Sequence, residues 1–526
     1  MAELSQQTKK LISSYQAWFQ SFQSKEGLDL IHVDEVASKV AKFYEKMRGV
    51  TDWREEHLLR KTAIERALKR RLFLKRDGKE ISEPLTHELI RGGHFPNDAI
   101  PESKILEIQK SINKYIYILE NSPRPPREKM RLLLHDWILG IAACEIEETL
   151  VSPIKEAALM DFMLELMKEK IDAKIDPKEK NIQTYIAIQR ALFKLDQSII
   201  TYNLLKKWYE EWFNLPQEKL EEIAKNIYLI WAKLEENLHH PLAEKFYSVC
   251  ERYDTAYLIM GDIISADPAG ARSNVENPEI LENKIKDAYR NRLKKVKGRL
   301  RRAAFYSTLS IFLSKMLLAF VVEVPFDKYI TGEFNYSTAG MNILIPSLLM
   351  AFLVLSIRTP SKQNEQLVIM EVIKITYEKE RKDVYEVRAA KKRGFFLNSV
   401  IALIYSLSFF ASFGLIVWGL RKLNFSFISI IIFLMFISLI SFAGIKIRQR
   451  AKELKVEKEK ETFFHAFIDL FSLPIIQVGK WLSNQWQKYN AIAVLFNSLL
   501  DMPFQVFIEF LEQWRLFLKE KKEEIH

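Results

Sequence analysis

Two charged residues, Lys315 and Glu323, lie inside the first long apolar run of the chain, at residues 303–326. A charge at the depth of a lipid bilayer costs about 2.5 to 3.5 kcal/mol on insertion scales, so it usually faces a bundle interior or a water-filled cavity. The two residues are about 80° apart around a regular helix and about 12 Å apart along it. We therefore predict an intramembrane polar site in which a second helix, a water or another subunit provides the partner of Lys315. The alternative is that Lys315 pairs with Glu323 or snorkels, and that Glu323, Pro325 and Asp327 mark the outer boundary of the run.

A second pair that could do chemistry is His135 and Asp136, in the segment RLLLHDWILGIAACEIEETL. The pair is faintly similar to the metal-binding dipeptide of HD-type phosphohydrolases, and this resemblance implies a membrane-tethered metal hydrolase. Metal ligation needs several side chains that converge on one point, and the sequence does not force other candidates toward this pair. A His-Asp pair that is satisfied inside a helix bundle is the alternative. The sequence predicts no metal and no cofactor, and it favours a protein that is not an enzyme.

The elements that must position Lys315 and Glu323 are apolar runs long enough to cross a bilayer, for which about 20 residues are needed. These runs are residues 303–326, 339–357, 397–420 and 425–447. Residues 290–302 hold eight Lys or Arg before the first run, which indicates a cytoplasmic end by the positive-inside rule. We predict two hairpins in a multi-pass inner-membrane protein with both termini in the cytoplasm.

The basic residues before the first run are predicted to contact anionic lipid headgroups, because cations beside a cytoplasmic membrane surface are attracted to them. The predicted lipid contacts are Arg292, Lys294, Lys295, Lys297, Arg299, Arg301 and Arg302.

The whole chain is predicted to be all-α, because only 16 of its 526 residues are glycine and signals for strands and tight hairpins are scarce. We expect cytoplasmic helical domains, then a four-helix transmembrane region and an amphipathic helical tail. The predicted parts are two cytoplasmic helical subdomains (1–121 and 122–270), a basic juxtamembrane helix (279–302), a transmembrane hairpin (303–357), a charged cytoplasmic helix (358–394), a second hairpin (397–447) and a cytoplasmic tail (448–526).

The tail contains two further apolar stretches between residues 462 and 520, and each has an Asp and a Pro near its middle: Asp469 with Pro474, and Asp501 with Pro503. A spanning position would place these carboxylates near the middle of the bilayer. We predict that the tail lies on the cytoplasmic membrane surface or against the soluble domain, and does not cross.

The basic stretch RALKRRLFLKR, at residues 66–76, is the densest in the first half of the chain. Because it has one aromatic residue and no nucleic-acid-binding motif, it is interpreted as a solvated or lipid-facing surface, and no nucleic-acid partner is predicted. The two cysteines, Cys144 and Cys250, are far apart in the chain and are predicted to be reduced, buried thiols.

Three segments, TDWREEHLLRKTAIERALKRR, FLSKMLLAFVVEVPFD and PIIQVGKWLS, resemble an uncharacterised family of bacterial multi-span membrane proteins with a large N-terminal cytoplasmic helical domain. The resemblance implies a bacterial inner-membrane setting and no particular activity. The leading hypothesis is a membrane-anchored structural or interaction module that binds a protein partner or forms a homo-oligomer. The alternatives are a channel or transporter component that uses Lys315 and Glu323, and the HD-like hydrolase.

Overall fold

A computed structural model of the chain describes residues 3–23, 29–48, 56–125, 127–332, 335–357, 360–377, 384–388, 394–452, 454–456, 463–489 and 491–525. These residues are almost entirely helical, and their strands form one two-stranded parallel sheet, so the predicted all-α fold is confirmed. The chain divides into two compact units. The first comprises Met1–Pro278, Lys374–Ala389 and Leu495–His526, and the second comprises Glu279–Ile373 and Ala390–Val494.

The elements up to residue 276 are α1 (Gln6–Gln23), α2 (Glu35–Arg48), α3 (Glu56–Leu74), α4 (Gly78–Arg91), α5 (Ser103–Glu120), α6 (Glu128–Leu150), α7 (Ile154–Lys170), β1 (Ile171–Ala173), α8 (Pro177–Phe193), α9 (Gln197–Trp208), α10 (Gln217–Leu238), α11 (Ala243–Ala266) and α12 (Ala271–Glu276). They are followed by α13 (Pro278–Leu318), α14 (Val324–Phe326), α15 (Tyr336–Leu355), α16 (Lys362–Tyr377), β2 (Tyr385–Val387), α17 (Phe395–Lys422), α18 (Phe427–Ala451), α19 (Phe463–Tyr489) and α20 (Ala491–Ile525). A 3-10 turn lies at Trp212–Asn214, and π-helical turns at Ala319–Glu323 and Asp327–Thr331 flank α14.

The first unit has one continuous apolar core that joins residues on both sides of the predicted subdomain boundary at residue 121. Ile112 and Ile118 of α5 and Ile138 of α6 are buried in this core together with residues of α3, α4, α9 and α10. The Pro-rich break after α5 is therefore a connection between two packed helices. The structure groups the predicted subdomains 1–121 and 122–270 in a single unit. Both cysteines are free and buried, as predicted.

The C-terminal helix α20 completes the first unit by packing on α2, α3 and α4. Ile508 is fully buried against Ala37 and Ala41 of α2. In the following turn of α20, Glu509 lies 3.3 Å from Arg71 and Glu512 pairs with Arg91. An apolar contact flanked by ion pairs fixes the register of a docked helix. The second half of the predicted tail thus packs on the first unit, which contains the predicted soluble subdomains.

The basic stretch at residues 66–76 is divided: Lys69, Lys75 and Arg76 are exposed, as an open solvated surface requires, whereas its other three cations are half-buried and paired with acidic side chains. Arg66 donates to both carboxylate oxygens of Glu45 at 3.0 Å, and Arg70 and Arg71 both pair with Glu88. These arginine side chains are 15 to 29 % exposed. Their acidic partners, Glu45 and Glu88, lie on the neighbouring helices α2 and α4. The sequence of the stretch alone therefore does not reveal these ion pairs.

The second unit contains four helices that are long and apolar enough to cross a membrane, counted over the described residues. They are Pro278–Ile330, Tyr336–Leu355, Phe395–Lys422 and Phe427–Ala451. The first has no break at residue 302, where the juxtamembrane helix was predicted to end. One helix therefore contains both the cations at residues 290–302 and the apolar run with Lys315 and Glu323.

A buried asparagine connects three segments of the second unit that are far apart in sequence. Asn364, at the start of α16, donates to the hydroxyl of Tyr289 on α13 at 2.9 Å and to the carbonyl of Leu454 after α18 at 2.6 Å. Its own Oδ1 accepts from the amide of Val456 at 2.7 Å. These bonds hold the start of α13, the start of α16 and the end of α18 at one end of the apolar helices.

The charged helix predicted for residues 358–394 is shorter than expected. Helix α16 ends at Tyr377, and residues 385–387 form β2, which pairs in parallel with β1 through Ile171 opposite Tyr385. Alternating apolar and charged residues suit a strand with one buried face, and Val387 and Ile171 are buried. Most of the basic stretch at residues 379–393 lies outside the described residues.

The first half of the predicted tail, α19, packs on α17 and α18 in the second unit. Pro474 has no N–H to donate to the carbonyl of Leu470 four residues earlier. Ser408 of α17 donates to that carbonyl at 2.6 Å, and Ser412 donates to the carbonyl of Phe471 at 2.8 Å. Serine side chains of neighbouring helices satisfy proline-freed carbonyls in this way inside membranes.

The predicted tail at residues 448–526 is therefore divided between the two units, and it is not one amphipathic surface element. That it does not cross the membrane stays a prediction. Asp469 is exposed, whereas the side chain of Asp501 lies outside the described part.

Replacement of Gly479 by alanine is expected to separate α19 from α18. A β-carbon at Gly479 would lie 2.0 Å from the carbonyl oxygen of Ser438 and 2.9 Å from the β-carbon of Phe442. Because a helix backbone must move to relieve this overlap, we expect a loss of about 1 to 3 kcal/mol. The measurement is unfolding of the full chain in detergent micelles, followed by circular dichroism.

Gly414→Ala in α17 is the matched control, because no atom lies within 4 Å of its added β-carbon. It is expected to be neutral or to stabilise its helix by up to about 1 kcal/mol. Equal behaviour of the two variants would contradict the close approach of α19 and α18.

Candidate functional site

The structure places Lys315 and Glu323 together inside the second unit. Both side chains are buried, with exposures of 0 % and 3 %, and Lys315 Nζ donates directly to Glu323 Oε1. The expectation that a second helix, a water or another subunit must provide the partner of Lys315 is wrong, because the ion pair forms within one continuous helical segment.

The π-helical turn at Ala319–Glu323 explains this pairing. A π turn closes its hydrogen bonds from residue i to i+5, so it holds one residue more than an α turn. Glu323 is eight residues after Lys315, but with the extra residue of the π turn the rotation around the helix axis equals that of about seven α-helical residues. The two side chains are then about 20° apart around the axis. Pro325 follows directly, and its ring would clash with the carbonyl four residues earlier in a regular helix. A local π adjustment relieves this clash.

Two other helices contribute to the same carboxylate. Asn342 of α15 donates through Nδ2 to Glu323 Oε2, and Ser429 of α18 donates to the same oxygen at 3.2 Å. The Lys315 ammonium also lies 5.5 Å from the centre of the Phe436 ring on α18, within range of a cation–π interaction. A single serine or phenylalanine in an apolar run carries no sequence signal of such a role.

This polar centre joins α13, α15 and α18. A buried ion pair adds little net stability, because desolvation of both charges offsets their attraction, but an unpaired buried charge is very costly. A shift of α15 or α18 would break the hydrogen bond of Asn342 or Ser429 to the buried carboxylate of Glu323, and an unsatisfied buried polar group is costly. The centre therefore determines which faces of the three helices meet.

A small polar cavity adjoins the centre. It has a volume of about 20 Å³ and is lined mainly by polar side chains, among them Glu323, Asp327, Asn335, Asn342, Ser426 and Ser429. This volume is enough for about one water molecule or an ion of similar size. Asn342 is 1 % exposed, and its Oδ1 accepts no hydrogen bond within the described part of the chain.

The predicted lipid-contacting cations lie along α13, before its apolar part. All are exposed except Arg292, which is half-buried. One helix thus carries exposed cations followed by an apolar run long enough to cross a membrane.

His135 and Asp136 do not form the core of a metal site. Asp136 is exposed and pairs with Lys69 at 2.6 Å, and burial lowers the pKa of His135. Asp196, a carboxylate elsewhere in the same unit, caps α9 and pairs with Lys61 at 3.0 Å. Over the residues that the structure describes, no three His, Cys, Asp or Glu side chains are grouped so that they could hold a metal ion.

A second buried charged network, which sequence reasoning did not identify, lies in the core of the first unit. Lys114 of α5 donates to both oxygens of Glu145 on α6 and to the carbonyl of Trp212, each at 2.7 Å. Tyr115 donates to Glu145 at 2.6 Å and accepts from the Trp212 indole at 3.1 Å. All four side chains are under 9 % exposed. Every charge in the network is satisfied, which favours a structural role.

In comparisons with known proteins, no protein-family model matches the chain, and no significant match is found among curated proteins or solved structures.

Proposed function

We propose that the chain is a bacterial inner-membrane protein with both termini in the cytoplasm, and that its first unit is a membrane-anchored module that binds a protein partner or another copy of the chain. The observation that carries the proposal is that a helical unit with its own core is attached to four apolar helices and leaves apolar side chains exposed.

The proposed orientation is supported by the contacts of Asn364. This residue bonds to Tyr289 before the first apolar run and to Leu454 after the last one, so the chain enters and leaves the four helices at the same end. The cations of α13 and those at the end of α18, Arg448 and Arg450, flank that end. The positive-inside rule assigns such an end to the cytoplasm.

The interaction role is supported by the beginning of α6. Met130, Leu132 and Leu133 are 43, 59 and 49 % exposed, while the same helix is buried from Ile138 to Ile146. Grouped apolar side chains on a soluble surface are typical of interaction sites. We propose that this surface, the α6 apolar group, contacts the partner.

Reporter fusions test the orientation. Fusions after residues 330 and 422 are expected to report an external position, and fusions after residues 380 and 526 a cytoplasmic one. An external signal after residue 380 or 526 would contradict the proposed topology.

Photo-crosslinking tests the interaction role. A photoreactive residue in place of Leu132 is expected to give a discrete adduct in intact membranes, because this apolar side chain would be covered by the partner. The neighbouring Arg131, which is 65 % exposed, is the matched control and should give no such adduct. The absence of an adduct at Leu132, or the same adducts at both positions, would remove this proposal.

A second candidate function, a channel or transporter component, is favoured by the polar cavity beside Glu323. Passage of ions through liposomes that contain the protein, reduced by the double substitution Lys315→Met and Glu323→Gln, would support it. Flux equal to that of protein-free liposomes would count against it.

A further inference from the structure

The cavity beside Glu323 has an oxygen that the protein itself does not satisfy. Asn342 must present Nδ2 to the Glu323 carboxylate, because only the amide nitrogen can donate to it. Its Oδ1 is thereby turned to another direction, where it accepts no hydrogen bond from the described residues although Asn342 is 1 % exposed. An unsatisfied buried acceptor is costly, so a bound group that interacts with oxygen is expected there.

The backbone of Asn342 offers a second acceptor. Residue 346, four positions later in α15, is a proline, and proline has no N–H to complete the helix hydrogen bond to the Asn342 carbonyl. In membrane helices, backbone carbonyls freed in this way are satisfied by neighbouring side chains, by ordered water or by a local change of helix type. Asn342 therefore presents two oxygens without their usual donors.

The chemistry of the cavity lining favours a cation. Its charged side chains within the described part are the carboxylates of Asp327 and of Glu323, which is already paired with Lys315, and the remaining polar groups are amides and hydroxyls. Carboxylate, carbonyl and hydroxyl oxygens are the ligands of hard metal cations. The volume of about 20 Å³ suits one ion close to water in size.

We propose that this cavity binds one small monovalent cation of the size of Na⁺, with Asn342 and Asp327 among its ligands. The bound cation ties the π-helical turn after α14, which begins at Asp327, to α15. This inference goes beyond the proposed interaction module and does not rest on it. Failure of the sodium experiment would leave the topology and crosslinking results unaffected.

The test is the unfolding temperature of the purified full-length protein in detergent, with NaCl, KCl or choline chloride at equal total salt. A ligand that binds only the folded state stabilises it. The Tm is therefore expected to rise with the NaCl concentration until it reaches a plateau. It should rise less with KCl or choline chloride. Asp327→Asn and Asn342→Ala are expected to raise the half-maximal NaCl concentration by roughly tenfold or more.

Asp469→Asn is the matched control, because Asp469 is exposed on α19 and does not line the cavity. Its sodium response should equal that of the unsubstituted protein. If Asn342→Ala does not fold, Asp327→Asn decides the question. Equal responses to the three salts, or an unchanged sodium response in Asp327→Asn, would overturn the proposal and leave a water molecule as the occupant.

Discussion

Replacement of Glu323 by glutamine is expected to destabilise the second unit by about 3 to 5 kcal/mol. Glutamine keeps an oxygen that can accept from Asn342 and Ser429, so the change mainly removes the charge that compensates Lys315. The Lys315 side chain is 0 % exposed, and its ammonium would remain buried without an opposite charge. Unfolding of the full chain in detergent, followed by circular dichroism, measures the loss.

Two further variants test whether the loss of stability in Glu323→Gln comes from the uncompensated charge of Lys315. Lys315→Met combined with Glu323→Gln should recover most of the lost stability, because an apolar side chain then replaces the uncompensated charge. Glu282→Gln, in the solvent-accessible, half-buried pair of Glu282 with Lys286 on the same α13, should change stability by less than about 1 kcal/mol. A double variant as unstable as Glu323→Gln would show that the ion pair does not account for the effect.

The parts of this fold that could be predicted depend on local pattern. The four apolar helices follow from runs of about 20 apolar residues, and the structure has four helices of this kind within its described ranges. The all-α class likewise follows from composition. The position of Lys315 inside the bundle follows from the cost of placing a charge in lipid.

The partner of Lys315 could not be predicted, because it depends on a change of helix type. The separation of about 80° holds only for a regular α-helix, and the π turn at Ala319–Glu323 brings Glu323 to the same face. Pro325 is the signal that could have indicated this turn. Proline in an apolar helix often causes a local distortion, but the sequence does not specify a π turn, a kink or an end of the helix.

Contacts between distant segments were also missed, because nothing local encodes them. Arg71 and Glu509, or Arg91 and Glu512, are more than 400 residues apart, and each side chain alone resembles an ordinary surface charge. The pairing of β1 with β2 was also not predicted, because three residues are too few for a recognisable strand pattern.

Replacement of Glu145 by glutamine is expected to destabilise the first unit by about 3 to 5 kcal/mol near neutral pH, since it removes the counter-charge of Lys114 in a core that excludes water. Burial lowers the pKa of Lys114, and Glu145 opposes that shift, so the pKa should fall further in the variant. Glu128→Gln, which breaks an exposed pair with Arg131 on the same α6, is the matched control and should cost less than about 1 kcal/mol.

The loss in Glu145→Gln is expected to depend on pH. Unfolded Lys114 keeps its proton up to about pH 10.4, whereas the folded variant releases it at a lower pH. The unfolded state therefore binds more protons between these two values, and stability rises with pH in that interval. Hydrogen exchange of α5 and α6 in the full chain should show a larger deficit at pH 6 than at pH 9, after correction for the intrinsic exchange rate. A deficit that is the same at both values would mean that Lys114 keeps its proton without Glu145, and that Tyr115 and the Trp212 carbonyl are enough to hold a charged amine in this core.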